Sequence, residues 1–294
     1  MSDAVLRQRG YRAYAGSSEP SVRRVLALHT ARTLLARKGV RRAITVSCIP
    51  ALVVAVISFV ASKTGAGEDG GQVARLLTHG YGTIFPAIIV ALLAAGGTLA
   101  EDRRAGALSF YFARPIDAMD YLVGRLAGTA FVVALASVGP PLVVALVHVA
   151  QADGKTAVSA LVTLAVVVLL GALLSLLLAL YALLGGALAG SRGGAQGFLA
   201  LAVVVPWVAA GVMVNLVDGP WLSLLSLPHA LESIGHSLIA RPAGLDLLSA
   251  LSAQAEPTLP PAWMAAVTLV LLAGTSGALL HQRLSKLAHA GGDA

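Results

Sequence analysis

The chain has 294 residues, of which 57% are hydrophobic and 12% are charged. Ordinary soluble domains are about 45–50% apolar and about 25% charged, so the composition excludes that class and predicts an integral membrane protein. The formal net charge is +7, but the basic residues lie beside hydrophobic segments, and this distribution argues against a nucleic-acid partner.

The first 42 residues contain ten of the 21 Lys and Arg residues. Residues 1–20 are expected to form a disordered cytoplasmic tail, and residues 21–42 an interfacial amphipathic helix that begins at the N-cap Ser21. The expected apolar face is formed by Val22, Val25, Leu26, Leu28, His29 and Leu35. Leu34 is expected on the opposite face. A basic arm attracted to anionic lipid is a compatible alternative, whereas the length of the basic region excludes a secretory signal peptide.

Six segments without Asp, Glu, Lys or Arg are long enough to cross a bilayer, which takes about 20 helical residues. They cover residues 43–61, 81–100, 127–150, 157–184, 198–217 and 262–280. The sequence therefore predicts an all-α protein whose six-span transmembrane domain covers residues 43–284, with a cytoplasmic tail at 285–294.

The distribution of Lys and Arg predicts the orientation of these spans. With both termini in the cytoplasm, seventeen of the 21 basic residues fall in cytoplasmic segments, and four (Lys63, Arg75, Lys155 and Arg241) fall outside. An excess of Lys and Arg on cytoplasmic loops is the usual pattern of membrane proteins. We therefore expect an N-in/C-in multi-pass protein of the inner (cytoplasmic) membrane.

The cytoplasmic segment 101–125 combines dense charge with aromatic residues. Its first part predicts a short helix with Ala105, Leu108 and Phe112 on one face, Tyr111 beside that face and Phe110 opposite. Such aromatic residues typically contact a partner, although an aromatic belt that anchors a loop at the headgroups is the alternative.

The second part of the segment predicts a hinge and a new helix. Arg114 precedes Pro115, which disfavours the helical conformation, so the short helix is expected to end near residue 113. The next helix is expected to begin at Pro115, with Asp117 and Asp120 in or near its first turn, where acidic residues complement the helix dipole. It continues through Tyr121 and Arg125 into the third span.

This segment resembles the region between the second and third spans of ATP-binding-cassette (ABC) permeases of the type-2 class. The residues of the resemblance are Glu101, Arg103, Gly106, Leu108, Arg114-Pro115-Ile116, Tyr121 and Gly124-Arg125-Leu126. In that family the region forms a coupling helix that seats in a groove of a separate ATPase subunit. The chain departs from the family pattern at Ala107, where Thr is usual, and at Arg125, where Lys is usual.

The resemblance implies a set of ATPase-coupling residues: Glu101, Arg103, Arg104, Gly106, Leu108, Phe110, Tyr111, Phe112, Arg114, Pro115, Tyr121 and Arg125. Leu108 and the three consecutive aromatic residues would supply a packed contact. The charged residues Glu101, Arg103, Arg104 and Arg114 would supply pairing and register.

The long outer segment 218–261 has too many apolar residues for a solvated loop. Leu231, Ile234 and Leu238 recur at helical spacing, opposite His229, Glu232 and His236. The pattern predicts short helices on or in the outer leaflet. The family resemblance implies re-entrant helices that cap a transport pathway, and an interfacial helix without a gating role is the alternative.

Motifs for chemistry within the chain are weak. Gly154-Lys155-Thr156 lacks the first glycine of a phosphate-binding loop, and His229 and His236 have no further ligand, so neither predicts a nucleotide or metal site. The glycine-rich stretch 185–197 is expected to be a flexible cytoplasmic loop. Cys48 is expected to be a small apolar residue of the first span.

The resemblance therefore implies a permease subunit of an ATP-driven exporter rather than an enzyme. No cofactor is expected in this chain, with ATP and Mg²⁺ in the partner ATPase. The expected partners are that ATPase, a second permease copy as homodimer or heterodimer, membrane lipid and a periplasmic protein. One alternative is a mechanotransmission or anchoring subunit that acts on an extracytoplasmic partner without transport, and another is a membrane scaffold without an ATPase.

Overall fold

The computed structural model describes residues 22–64, 84–112, 117–154, 156–217, 220–239 and 260–290. Within these ranges every regular element is a helix, so the all-helical prediction is confirmed. The expected disordered tail 1–20 and residues 240–259 of the predicted outer segment lie outside the described ranges.

The N-terminal half forms six helices. They are α1 (Val22–Ala36), α2 (Lys38–Thr64), α3 (Ile84–Ala95), α4 (Leu99–Arg104), α5 (Ala107–Phe112) and α6 (Ala118–Ser137). The C-terminal half continues with α7 (Gly139–Gln151), α8 (Ala157–Ala189), α9 (Arg192–Leu199), a π-helical turn (Ala200–Val204), α10 (Val205–Val217), a 3₁₀ helix (Pro220–Leu225), α11 (Leu227–Ile239) and α12 (Ala262–Ala290).

Six helical stretches in these ranges are long and apolar enough to cross a membrane, as the sequence predicts. They are Lys38–Ile57, Ile84–Arg104, Ala118–Ser137, Ala157–Ala189, Arg192–Met213 and Ala262–Lys286. Four of them begin or end at a lysine or arginine, a residue type that belongs at the headgroups: Lys38, Arg104, Arg192 and Lys286. The chain is therefore a helical protein with six candidate membrane spans.

The third span differs from its predicted range, 127–150. The helix breaks at Val138, because Pro140 and Pro141 lack the N–H groups that would bond to the preceding turn. Beside the break, Ser137 Oγ donates to the Gly171 carbonyl oxygen of α8, at 2.9 Å. The candidate span consequently covers Ala118–Ser137, and α7 is a separate, shorter apolar helix.

The prediction of a flexible loop at residues 185–197 is also wrong. Helix α8 continues to Ala189, and α9 begins only three residues later, at Arg192. Gly185 and Gly186 serve close packing, since a Cβ at Gly185 would lie 2.8 Å from the Ala195 carbonyl oxygen and one at Gly186 would lie 2.9 Å from the Ala100 nitrogen. Gly190 ends α8 with φ +64°, a left-handed conformation that glycine adopts without strain.

Helix α1 packs along α6, and its buried face differs from the predicted one. Leu26, Thr30, Ala31 and Leu34 are buried, although Leu34 was expected on the opposite face. Of the predicted face, Val22, Val25 and Leu28 are exposed. The reason is that two glycines of α6, residues 124 and 128, admit the backbone of α1 to close contact, which hydrophobic periodicity does not reveal.

Helix α8 occupies the centre of the bundle and packs against α3, α4, α6, α7, α9, α11 and α12. Leu177, Leu178 and Leu183 of α8 are nearly inaccessible. The main core lies along α8, so the surrounding helices take their positions from it.

The described part of segment 218–261 consists of a 3₁₀ helix and α11. The 3₁₀ helix and α11 pack together, and α11 also contacts α8, α10 and α12. Leu231 is buried, and Ile234, Leu238 and Glu232 are half-buried. Placement of these helices in the outer leaflet remains a prediction, as does the N-in/C-in orientation.

Candidate functional site

A glycine turn sets the course of the candidate coupling segment, residues 101–125. Gly106 has φ +65° and ends the turn between α4 and α5. The Ala105 N–H donates to the Glu101 carbonyl oxygen at 2.9 Å, and the Gly106 N–H donates to the Arg103 carbonyl oxygen at 3.2 Å. The chain therefore leaves α4 and forms α5 as a separate short helix.

The ends of the two helices test the prediction only in part. Helix α5 is described as far as Phe112, so the expected end near residue 113 lies outside the described residues. Helix α6 begins at Ala118 and not at Pro115 as predicted, because Asp117 has an extended backbone with ψ 145° and precedes the helix, whereas Asp120 lies in the first turn as expected. Arg114 and Pro115 lie outside the described residues.

Leu108 points into the protein. Its exposed fraction is 8%, and it lies in an apolar cluster with Leu26 of α1, Leu99 of α4, and Leu280 and Leu284 of α12. The sequence led us to expect Leu108 in a packed contact with a partner, but the structure uses its side chain to fix α5 to the bundle. Of the aromatic residues beside it, Tyr111 is half-buried, and the side chains of Phe110 and Phe112 lie outside the described part.

A buried polar cluster, which we call the Arg125 cluster, joins four helices. It consists of Thr30 of α1, Asp102 of α4, Tyr111 of α5, and Tyr121 and Arg125 of α6. Arg125 Nη2 donates to Asp102 Oδ2 in an ion pair, and Arg125 Nη1 donates to Thr30 Oγ1 at 3.1 Å. The Tyr121 hydroxyl donates to the same carboxylate oxygen at 2.5 Å. Arg125 is only 5% exposed, so its charge depends on these partners.

The two tyrosine rings complete the cluster. The ring centroids of Tyr111 and Tyr121 are 5.3 Å apart, at an interplanar angle of 50°. The Arg125 Cζ lies 5.6 Å from the Tyr121 centroid and 6.0 Å from the Tyr111 centroid, within the range of cation–π attraction. A planar guanidinium group donates to two acceptors and contacts two rings at once, which a lysine ammonium cannot do. These contacts explain an arginine at residue 125, where the permeases that the segment resembles usually have lysine.

Weaker contacts surround the cluster. Arg37 Nη2 donates to Glu101 Oε2 at 2.5 Å, and Arg103 Nη1 donates to the Ala187 carbonyl oxygen at 2.6 Å. Glu101 and Arg103 are thus engaged within the chain. Arg104 is exposed, and no partner of its side chain is found in the described ranges. Arg104 is therefore the charged side chain of α4 that remains available to another protein.

Sequence reasoning did not identify Thr30, Arg37 or Asp102. Asp102 carried a signal, because it lies in a charged run at the end of an apolar span, where an acid requires a partner. Thr30 lies 95 residues from Arg125, and no local pattern connects them. Only the packing of α1 on α6 brings these residues together.

In the described part of the chain, no group of three His, Cys, Asp or Glu residues could hold a metal ion. His229 of α11 bonds through Nδ1 to Ser226 Oγ at 3.0 Å, and burial lowers its pKa. His229 is accordingly a neutral packing residue near pH 7.

Comparisons with known proteins found no matching family model and no similar curated protein. The function of the chain is therefore argued from its own residues and their geometry.

Proposed function

We propose that the chain is the permease subunit of an ATP-driven exporter, similar to ABC permeases of the type-2 class, and that a separate ATPase seats against α5. The observation that supports this most directly is the two-sided arrangement of the coupling segment. Leu108 and Tyr111 hold α5 to the bundle, while Arg104 and the turn at Gly106 are exposed. A short helix that is fixed to the bundle beside the exposed Arg104 is suited to dock a separate subunit.

The Arg125 cluster supplies a route from the docked ATPase to the spans. A displacement of α5 acts through Tyr111 on Tyr121 and Arg125 of α6, and through Thr30 on α1. The buried ion pair of Arg125 with Asp102 resists separation, because an unpaired buried charge is costly. The helices α1, α4, α5 and α6 would consequently move together.

A second route runs through the apolar contacts of Leu108. Leu280 and Leu284 lie in the same cluster, so α5 also pushes on the sixth candidate span, α12. ATP and Mg²⁺ would bind in the partner ATPase, and this chain would convert the closure of that partner into a tilt of α6 and α12.

The membrane arrangement is part of the proposal. The chain would lie N-in/C-in in the inner membrane, with α5 in the cytoplasm and α11 outside. Apolar side chains exposed on α2 and α10, including Val46, Ile57, Val208 and Leu216, are available to lipid and to a second permease copy. Two permeases and two ATPases would form the transporter.

Co-purification tests the proposal. The wild-type chain, extracted gently into detergent, should retain an ATPase with measurable ATP hydrolysis. Arg104→Glu should lose that ATPase, because the change reverses an exposed charge at the docking face. Arg283→Glu is the matched control, since Arg283 is an exposed arginine of α12 outside the coupling segment. Leu108 is unsuitable as a docking variant because its substitution would destabilise the core.

The outcomes separate the proposed function from the alternatives. Loss of the ATPase from Arg104→Glu alone, with unchanged thermal unfolding of the permease, supports docking at α5. An ATPase that remains bound without substrate flux in vesicles, together with a co-purifying periplasmic protein, would favour a mechanotransmission subunit. If no ATPase is recovered with the wild type, a membrane scaffold becomes the better explanation.

A further inference from the structure

A cavity of about 280 Å³ lies between α2, α3, α4 and α9. It is lined by Arg37, Gly39, Val40, Leu93, Glu101 and Arg192. Arg37 directly precedes the first candidate span, Glu101 lies near the end of the second, and Arg192 begins the fifth. Because span ends lie at the headgroups of a bilayer, the cavity lies at headgroup level.

The two arginines of the cavity lie over a pair of glycines between α3 and α4. A Cβ at Gly96 would lie 2.3 Å from the Arg192 Cγ, and a Cβ at Gly97 would lie 1.8 Å from the Arg37 Nη1. Any larger residue would displace an arginine from this place. Gly96 and Gly97 therefore make room for two arginine side chains.

The charges in the cavity do not cancel. Arg37 donates to Glu101 at 2.5 Å, so the carboxylate that lines the cavity already has a cationic partner. Arg192 forms no hydrogen bond or ion pair with the part of the chain that the structure describes. Lys38 and Arg41, exposed on the first turn of α2, add positive charge nearby. The cavity therefore retains an unpaired guanidinium in a positive field.

The walls of the cavity combine this charge with apolar surface. Val40 and Leu93 form its apolar side. Val46 of α2, seven residues after Gly39 and therefore near the same face of the helix, is 61% exposed and adds apolar surface along the first span. An anionic group held by Arg192 could thus be attached to acyl chains that lie along α2.

The geometry points to a binding site for the phosphate group of an anionic membrane phospholipid, with Arg192 as its main ligand and Arg37 beside it. Guanidinium groups suit phosphate because their N–H groups match its oxygens in pairs. The volume is near the lower end of small-molecule pockets, which suits a headgroup alone. This site does not depend on the proposed function, because it requires no ATPase.

Binding to the purified full-length chain tests the site. The chain in detergent would be titrated with phosphatidylglycerol, phosphatidylcholine and inorganic phosphate, and bound molecules would be counted by native mass spectrometry. Arg192→Gln should weaken phosphatidylglycerol binding roughly tenfold, the usual loss for a hydrogen bond to a charged group. Arg283→Gln is the matched control and should leave binding unchanged.

A second variant keeps the charge of the cavity constant. Gly96→Ala should also weaken phosphatidylglycerol binding, because its Cβ displaces Arg192 without removing a cation. Thermal unfolding of each variant checks that the chain remains folded. Gly277→Ala, with open space around its Cβ, is the control for the added methyl group.

Preferential binding of phosphatidylglycerol over phosphatidylcholine supports the site if two variants, Arg192→Gln and Gly96→Ala, weaken it. The control Arg283→Gln should leave this binding unchanged. Binding of inorganic phosphate without phospholipid would overturn the membrane source. Equal losses from Arg192→Gln and Arg283→Gln would overturn the site itself, because the attraction would then be a property of total charge.

Discussion

The two ends of the bundle differ in how their buried polar groups are paired. Helix α12 contacts α11 near its start and Leu108 of α5 near Leu284, and these regions lie about 30 Å apart along the helix axis. At the α5 end, the polar groups are charged and bond across separate helices. At the α11 end, the polar groups whose bonds are described are serine hydroxyls and a neutral histidine, beside the half-buried carboxylate of Glu232.

The contacts at the α11 end are mostly local. Ser226 bonds to His229 three residues away, and Ser237 donates to the Ile234 carbonyl oxygen at 2.8 Å. Ser233 donates to the Pro260 carbonyl oxygen at 2.6 Å and makes one longer connection. Local hydroxyl bonds stabilise a helix without fixing its neighbours, whereas the Arg125 cluster joins four helices. Under the proposed function, a displacement of α5 would therefore be transmitted through the Arg125 cluster.

The largest effect is expected from removal of the buried carboxylate. Asp102→Ala leaves Arg125 without its ionic partner, which should cost about 3–5 kcal/mol of unfolding free energy. Thermal unfolding in detergent measures this loss. Ser237→Ala at the α11 end should cost about 1 kcal/mol or less. Equal losses would contradict the contrast between the two ends.

Alanine substitutions at two glycines test the close packing of α1 on α6. A Cβ at Gly128 would lie 2.4 Å from the Ala27 carbonyl oxygen, so Gly128→Ala should displace α1 and cost about 1–3 kcal/mol. Gly277→Ala adds a methyl group in open space in α12 and should be neutral or stabilising by up to about 1 kcal/mol. The expected signs therefore differ, and unfolding measurements in detergent compare them.

The specific use of arginine is tested by Arg125→Lys. The lysine keeps the charge opposite Asp102 but loses the bond to Thr30 and the contact with two tyrosine rings. We expect a loss of about 1–2 kcal/mol in thermal unfolding experiments. Arg104→Lys, at an exposed position, is the control, and an equal effect of both substitutions would show that the cluster is unimportant.

The α11 end should show a small pH dependence. Burial lowers the pKa of His229, so the unfolded chain binds a proton more readily than the folded chain. The contribution to stability is intact above the unfolded pKa of about 6.5 and is lost as the pH falls below it. His229→Gln should flatten this part of the unfolding profile, and an unchanged profile would exclude His229 as its source.

The spans could be predicted from the sequence because a run of apolar residues without charge has few alternatives to a membrane helix. Their ends were less predictable. The break at Val138 is not visible in the apolar pattern, which continues without a charged residue through Pro140 and Pro141. The end of α8 at Gly190 depends on packing of α9 that no single segment encodes.

The candidate site was only partly accessible to sequence reasoning. The segment 101–125 was identifiable from its charge, its aromatic residues and its resemblance to a coupling helix. The direction of Leu108 was not, because one apolar residue suits a core and a partner equally well. Leu34 illustrates the same limit. Hydrophobic periodicity predicted a buried face of α1 without Leu34, whereas close contact with the glycines of α6 buries a face that includes it.

The two faces of the coupling segment provide the most direct test of the whole account. ATPase retention and permease unfolding would be measured together for Arg104→Glu and Arg125→Lys. We predict that Arg104→Glu loses the ATPase at unchanged stability, while Arg125→Lys retains it at reduced stability. Retention of the ATPase by Arg104→Glu, or failure of the wild type to bind any ATPase, would contradict the proposal that an ATPase docks at α5 and the exposed Arg104 beside it.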